Sequence, residues 1–354
     1  MKFKVDRSNL KRKGFKKINL PENIVTYSRN VFLPVTNVCR NDCKYCGFKR
    51  SVESTESYLM SESDARKILR DGAKAGCSEA MFALGEYPEE NEIFRKKLAE
   101  TGYETTVDYL CRLCEIAIEE ALLPHTNAGI LTYEELKKLK PYNASMGLML
   151  ETTAPVKRIK AHEFSPGKDP ALRLSVLENA GKLKIPFTTG LLIGIGETKK
   201  DRIRSLKEIR RIHKKYGNIQ EVILQNYTPQ STFSGCSGLK SPSKKEMIEV
   251  FKLAKKILPK NIQIQMPPNL IDINTLINMG VRDLGGVSPV TIDHINPESD
   301  WPEIASMEAE LKSKNMILKE RLPIYPEYVF KKMYGKKTES LIKELSDEYG
   351  YRSS

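Results

Sequence analysis

Two rhythms of apolar and polar positions alternate along this chain. Short runs that are apolar at most positions stand at 31–37 (VFLPVTN), 79–86 (EAMFALGE), 123–129 (LPHTNAG), 144–151 (ASMGLMLE), 186–194 (PFTTGLLIG), 221–229 (EVILQNYTP), 262–268 (IQIQMPP) and 281–286 (VRDLGG). Between them, apolar residues return every three or four positions over 61–76, 105–121, 132–140, 169–184, 199–217, 243–259 and 269–280. The first rhythm predicts strands buried on both faces, the second amphipathic helices. The helix predicted at 61–76 follows a capping Ser61, and that at 169–184 carries Pro170 in its first turn.

Strand–helix units repeated at this spacing predict a parallel sheet covered by helices. Eight units over about 250 residues match an α/β fold of the (β/α)8 TIM-type barrel class, with the site at the C-terminal ends of the strands. An open doubly wound sheet is the alternative that periodicity leaves standing. No Pro-, Gly- or Ser-rich linker divides the chain. The expected organisation is a basic arm over 1–24, the barrel over 25–322 and a C-terminal helical extension over 323–354 packed outside it.

Composition adds less. The chain has 354 residues, 40% hydrophobic and 29% charged, as in an ordinary globular enzyme. No apolar run reaches the roughly 18 residues of a membrane span, and the basic N-terminus predicts no secretory signal, so a cytoplasmic location is expected. The net charge is +13, and residues 1–17 carry eight Lys or Arg against one acid. Such an arm can bind nucleic acid, but it offers only Phe3 and Phe15 for stacking, which argues against single-stranded RNA.

The chemistry is concentrated after the first strand. Cys39, Cys43 and Cys46 stand at C-x-x-x-C-x-x-C spacing in one tight loop. Three thiolates so placed can hold three corners of a cubane [4Fe–4S] cluster, which ordinarily takes four cysteines. One iron then stays open to a non-protein ligand, and an open metal position serves chemistry rather than structure. A structural zinc site needs a fourth ligand close by, and the nearest histidine is His125. Disulfides suit seven cysteines and a chain without a secretory signal poorly. A second pair, Cys111 and Cys114, lies on the apolar stripe of its predicted helix and reads as core. His213 sits in a basic helix and reads as solvated.

The cysteine loop resembles the motif of radical S-adenosylmethionine (SAM) enzymes, including the aromatic Tyr45 before the last cysteine. The resemblance implies that the open iron chelates SAM's amino and carboxylate groups. One electron then splits the sulfonium into methionine and a 5′-deoxyadenosyl radical. It also gives roles to strand ends. Gly85 and Glu86, after Leu84, stand where these enzymes carry Gly-Gly-Glu, with Glu86 facing SAM's ammonium. Glu151 is an acid too costly to bury unpaired; it would meet the ribose. Arg173 would grip SAM's carboxylate or neutralise Glu151. The segment from Gly190 through Gly194 to Glu197 resembles the family's adenine-side turn, and Gln225 could meet adenine edges.

A narrower resemblance rests on TNVCRNDCKYCGF, LPHTNAGIL, HEFSPGKDP, FTTGLLIGIGET and, most selectively, GGVSPVTIDHINPESDWP. Together they are similar to the smaller subunit of archaeal deazaflavin synthases, over about residues 25–330. The family implies an ammonia-releasing lyase. Its larger radical SAM subunit joins a tyrosine-derived hydroxybenzyl group to a ribitylaminouracil. The smaller one converts that small-molecule adduct to the deazaflavin 7,8-didemethyl-8-hydroxy-5-deazariboflavin. Asn127, Asn226 and Asn296 are the expected substrate contacts, and Asp293 and His294 the expected proton carriers. Another radical SAM reaction in cofactor biosynthesis and an RNA-modifying enzyme using the basic arm remain as alternatives.

Overall fold

The computed structural model describes residues 21–229 and 239–353. The basic arm, with Phe3 and Phe15, falls outside the described residues except for its last few positions, and no expectation about its course is tested.

Eight parallel strands close into a barrel in chain order. They are β1 (Ile24–Pro34), β2 (Glu79–Ala83), β3 (Leu123–Asn127), β4 (Ser145–Gly147), β5 (Phe187–Ile193), β6 (Ile219–Asn226), β7 (Gln263–Gln265) and β8 (Asp283–Val287). Because β1 pairs with β2 and with β8, the ring is closed and the open doubly wound sheet is excluded. Helices fill the connections, and their starts follow the local chemistry. Ser61 caps Glu62–Lys74, while Thr132, Thr198 and Ser243 each form a reciprocal capping box with the acid three residues on. Leu33 of β1 and Leu69 of the first helix are fully buried in the shared core, each such burial contributing about 1.5–3 kcal/mol.

A ninth strand, β9 (Ile317–Arg321), is the main addition to the expected fold. It pairs with Ile24–Ser28, whereas β2 pairs with Asn30–Pro34 further along β1. Strand β1 is therefore longer than the apolar run at 31–37 suggests. Its first half reads as polar because it buries Thr26, which donates to Asp283, Ser28, which donates to Glu79, and Asn30. A helix at Glu92–Ala99 is also additional, and β4 and β7 are only three residues long. The tail carries the helices Pro326–Phe330 and Glu339–Leu345, which lie against the barrel. They cover its N-terminal end, where Tyr328 donates to Ile219 O at 2.8 Å and Ile342 packs with Leu123 and Ala144.

His213 corrects an expectation. It is buried, its Nε2 lying 3.1 Å from Asn261 Nδ2, because its helix turns that position toward the chain before β7. Cys111 and Cys114 are core residues as expected, and burial pushes their thiols up to about 11 and 12. No helix among the described residues is long and apolar enough to cross a membrane.

Candidate active site

The loop after β1 is held in place by backbone hydrogen bonds to two other strand-end segments. Arg40 N donates to Glu86 O at 3.1 Å, Asp42 N to Phe164 O at 3.0 Å and Lys44 N to Ala161 O at 3.0 Å. Gly85 makes the approach possible, since a Cβ there would stand 1.8 Å from Val38 O. Cys39, Cys43 and Cys46 then line one cavity of about 340 Å3 at the C-terminal end of the barrel. Cys39 Sγ accepts from Asn41 N at 3.4 Å and from Glu86 N at 3.2 Å. Burial and then mutual repulsion push the Cys46 thiol up to about 11, and burial raises Cys43 as well. Positive charge beside Cys43 and Cys46 would favour their thiolates, and iron provides it.

Among the described residues no three His, Cys, Asp or Glu side chains gather around a single ion. The corners of a cubane each bind their own iron and need no such convergence. Three thiols of one loop opening on one cavity are a donor set that fits a [4Fe–4S] cluster with one iron open.

Across the cavity from the thiols lies a cage around Glu151. This residue ends the apolar run after β4 with a φ of 60°, a left-handed conformation that a non-glycine side chain adopts at a cost of order 1–3 kcal/mol. Its buried carboxylate accepts from Tyr45 Oη and Lys168 Nζ, with His162 Nε2 at 2.9 Å and Arg173 Nη1 at 3.8 Å. Burial works to raise this carboxyl, but Lys168, His162 and Arg173 outweigh it and hold it well below the usual range. Burial pulls His162 down while Glu151 opposes it, and its Nε2 stands at hydrogen-bonding distance from the Glu151 carboxylate.

Glu86 forms a second anionic point. It accepts from Arg40 Nε at 2.9 Å and from Ile130 N at 3.0 Å, and Arg173 Nη2 lies 3.8 Å away. Burial again opposes ionisation, and Arg173, Asn41, Ile130 N and Arg40 overcome it. Arg173 is itself buried rather than on a helix surface, and it donates to Gly167 O at 2.8 Å and to Met149 O. It thus stands between the two acids. Lys168, His162 and Arg40 were not singled out by sequence reasoning. For His162 and Lys168 the available signal was the polar segment HEFSPGKDP, which folds as two short turns between β4 and the helix Pro170–Lys182, while Arg40 stands in the cysteine loop directly after Cys39.

Residues 33–209 match the model of the radical SAM superfamily. Over 328 residues the chain is 53% identical to the 7,8-didemethyl-8-hydroxy-5-deazariboflavin synthase of Methanosarcina barkeri, covering 93% of this chain and 99% of that protein. The chain belongs to this family of radical SAM enzymes. The synthase of Archaeoglobus fulgidus is 50% identical over 330 residues, covering 93% and 98% of the two chains. Among solved structures, the FeFe-hydrogenase maturase HydG from Carboxydothermus hydrogenoformans superposes with a TM-score of 0.68 at 18% identity, covering 92% of this chain and 78% of that one. Methylornithine synthase superposes with 0.65 at 17% identity, covering 84% of each. These two share the barrel. As a radical SAM family member, the enzyme uses a [4Fe–4S] cluster and SAM.

The remaining expected site residues divide. Asn127, Gln225 and Asn226 line the cavity of this radical SAM barrel, as do Tyr45, Gly85, Glu86, Glu151 and Arg173. Asn226 Oδ1 is buried and without a hydrogen-bond partner among the described residues. Gly194 is not on the cavity wall. Its N–H donates to both carboxylate oxygens of Glu197 at 3.1 Å, which folds the turn back on itself. Asp293 and Asn296 reach the wall but are bound to each other, Asn296 Nδ2 donating to Asp293 Oδ2 at 2.9 Å. Asp293 also accepts from Ile295 N, Asn296 N and Asn269 Nδ2 at 2.9, 3.1 and 2.9 Å. With four donors on it, this carboxylate organises a loop rather than offering a free lone pair. His294 lies off the wall, its ring 5.4 Å from Phe32 and 6.3 Å from Phe48.

Proposed function

We propose that this chain closes the deazaflavin ring. It takes the adduct of a hydroxybenzyl group and a ribitylaminouracil, supplied by a separate larger radical SAM subunit. It converts that adduct to 7,8-didemethyl-8-hydroxy-5-deazariboflavin with release of ammonia. The observation that carries this reading is the opening of Cys39, Cys43 and Cys46 onto the same cavity as Glu86, Glu151 and Arg173. The chain around them is 53% identical, nearly end to end, to a synthase of that name.

Cys39, Cys43 and Cys46 would hold the cluster. When bound, cluster and SAM supply a 5′-deoxyadenosyl radical that removes a hydrogen atom from the substrate. Glu86, kept ionised by Arg173 and Arg40, places negative charge where an ammonium group is to be held. Arg173 offers a buried cation for a carboxylate, balanced between Glu86 and Glu151. Lys168 and Tyr45 fix Glu151 in one orientation, so the polar wall is set before SAM arrives. The buried Leu148 and Leu192 line the same space and exclude water from a reactive radical.

The test is one anaerobic assay with reconstituted enzyme, SAM, reductant and the purified adduct. Deazaflavin fluorescence, with methionine and 5′-deoxyadenosine formed alongside it, is the expected result. SAM cleavage that never yields fluorescence from the adduct would refute the reading.

A further inference from the structure

The deepest layer of side chains inside the barrel is polar, where barrels of this class ordinarily pack Val, Ile and Leu. Strand pairing sets Asn30 beside Glu79 and Thr188 beside Glu221, with His125 on β3 and Gln265 on β7. All six line the cavity. Arg321 of β9 closes the floor, donating to Glu221 Oε1 at 3.0 Å.

Two of these side chains have their hydrogen-bonding sense fixed. Ser145 Oγ gives its one proton to Pro323 O at 2.7 Å, so it can only accept from His125 Nδ1, also at 2.7 Å. The His125 proton therefore sits on Nδ1, and Nε2 is a bare lone pair. Nε2 lies over Gly147, where an added Cβ would come within 3.0 Å of it, and it has no partner among the described residues. Burial, assisted by Arg321, pushes this imidazole down to about 3, so it stays neutral. Gln265 is fixed in the same way. Its Nε2 donates to Leu284 O at 3.2 Å, which makes Oε1 the buried acceptor, and Oε1 has no partner among the described residues. Asn30 Oδ1 is buried and unpartnered as well. A purely structural network satisfies such atoms. Acceptors left open around one cavity call for a ligand rich in O–H donors.

We propose that the barrel floor is a pocket for a polyhydroxylated chain, with His125 Nε2 and Gln265 Oε1 accepting from its hydroxyls and the Asn30 amide beside them. This rests on the proposed function, whose substrate carries a ribityl chain, and adds an orientation. The ribityl group points down the barrel, and the rings lie toward the cysteine loop.

The test uses the reconstituted, SAM-loaded enzyme and titration calorimetry with two probes, 6-(D-ribitylamino)uracil and 6-(propylamino)uracil. Wild-type enzyme is expected to bind the ribityl probe at least about tenfold more tightly, the value of one or more net hydrogen bonds. His125→Phe and Gln265→Leu should each lose about tenfold for the ribityl probe and nothing for the propyl probe, and His125→Gln, which keeps an acceptor, should recover part of the loss. Cluster absorption shows whether each variant is folded, and the wild-type comparison needs no variant at all. Equal wild-type affinity for the two probes, or equal losses of both in a folded variant, overturns the pocket. Probe discrimination without deazaflavin formation from the full adduct would instead sink the proposed function and leave the pocket standing.

Discussion

Arg321 grips Asp283 through two parallel hydrogen bonds, Nε to Oδ2 at 2.8 Å and Nη2 to Oδ1 at 3.0 Å. The same guanidinium reaches Glu221, so one cation from β9 balances two buried acids on β8 and β6. Arg321→Met would strand the Asp283 carboxylate away from water and push Glu221, already raised to about 7 by burial, further up. The expected cost is about 3–5 kcal/mol, the usual range for removing one partner of a buried pair. Lys137→Met is the control: Lys137 pairs with Glu134 at 3.3 Å with its side chain 61% exposed, and losing it should cost under about 1 kcal/mol. Denaturant midpoints of the two variants make the comparison. Equal losses would mean that the β9 contact is no more than a surface pair.

The buried His125 gives stability a dependence on acid. Its folded pKa lies at about 3 against an ordinary value of 6.5. Between those values the unfolded chain binds a proton that the folded chain does not. This contribution is complete above pH 6.5 and is lost as the pH falls toward 3, at up to about 1.4 kcal/mol per pH unit. From pH 7 to pH 5, wild-type enzyme should lose about 2 kcal/mol more than His125→Gln, which has no such titration. Unfolding free energies of both proteins at the two pH values decide it. Parallel curves would show that the imidazole is not held neutral.

The barrel and its cysteine loop were legible because each rests on a local signal. Apolar runs of strand length mark the ladder, and three cysteines in eight positions mark the cluster loop. The ninth strand was not, because ILKER carries only two apolar residues and owes its place to Arg321 meeting Asp283 and Glu221. The Glu151 cage was half legible. An acid closing the run MGLML had to find partners, but Lys168 and His162 come from a segment without periodicity, and only the fold brings them across. Asp293 was half legible as well. An acid in a polar loop reads as chemistry, and only the fold shows the hydrogen bonds from Asn269 and Asn296 that also make it a loop anchor.

Glu151→Gln should cost more than the loss of one contact. The carboxylate is the partner of Lys168 and His162, and its own depressed pKa means that it is charged down to well below pH 4.5. Neutralising it leaves Lys168 charged and buried without compensation, at about 3–5 kcal/mol. Adding Lys168→Met to Glu151→Gln removes that stranded charge and should recover at least about half of the stability, a coupling of the size expected for contacting residues. The double variant should still bind SAM poorly, because the preset polar wall is gone. Additive losses in the double variant would contradict the cage.

Cys43→Ala separates a cluster from any other use of the thiols. Cys43 is the buried member of the trio, and Cys39 and Cys46 alone offer two corners. Iron and sulfide bound per chain after anaerobic reconstitution should fall severalfold, and SAM cleavage should fall with them. Cys111→Ala alters only a core position and should leave iron content unchanged while lowering the unfolding midpoint. Full iron content in Cys43→Ala would mean that the cluster sits elsewhere.

Asp293→Asn probes whether the loop over the cavity acts through shape or through proton transfer. The carboxylate accepts four hydrogen bonds, two from backbone N–H groups and two from the side chains of Asn269 and Asn296. An asparagine oxygen can keep the pair from Ile295 and Asn296 backbone, but its NH2 would face the two amide NH2 groups that the aspartate accepts from. The loop then loses two anchors, each worth about 0.5–1.5 kcal/mol net and more for a charged acceptor. The wall carrying Trp301 opens with it. Cluster and SAM residues lie on other strands, so SAM cleavage without substrate should continue near the wild-type rate, while deazaflavin formation falls by about an order of magnitude or more. The pH profile of the residual activity discriminates further. A loop anchor leaves the shape of that profile as it is in wild type, whereas a lost general acid or base would remove one limb of it.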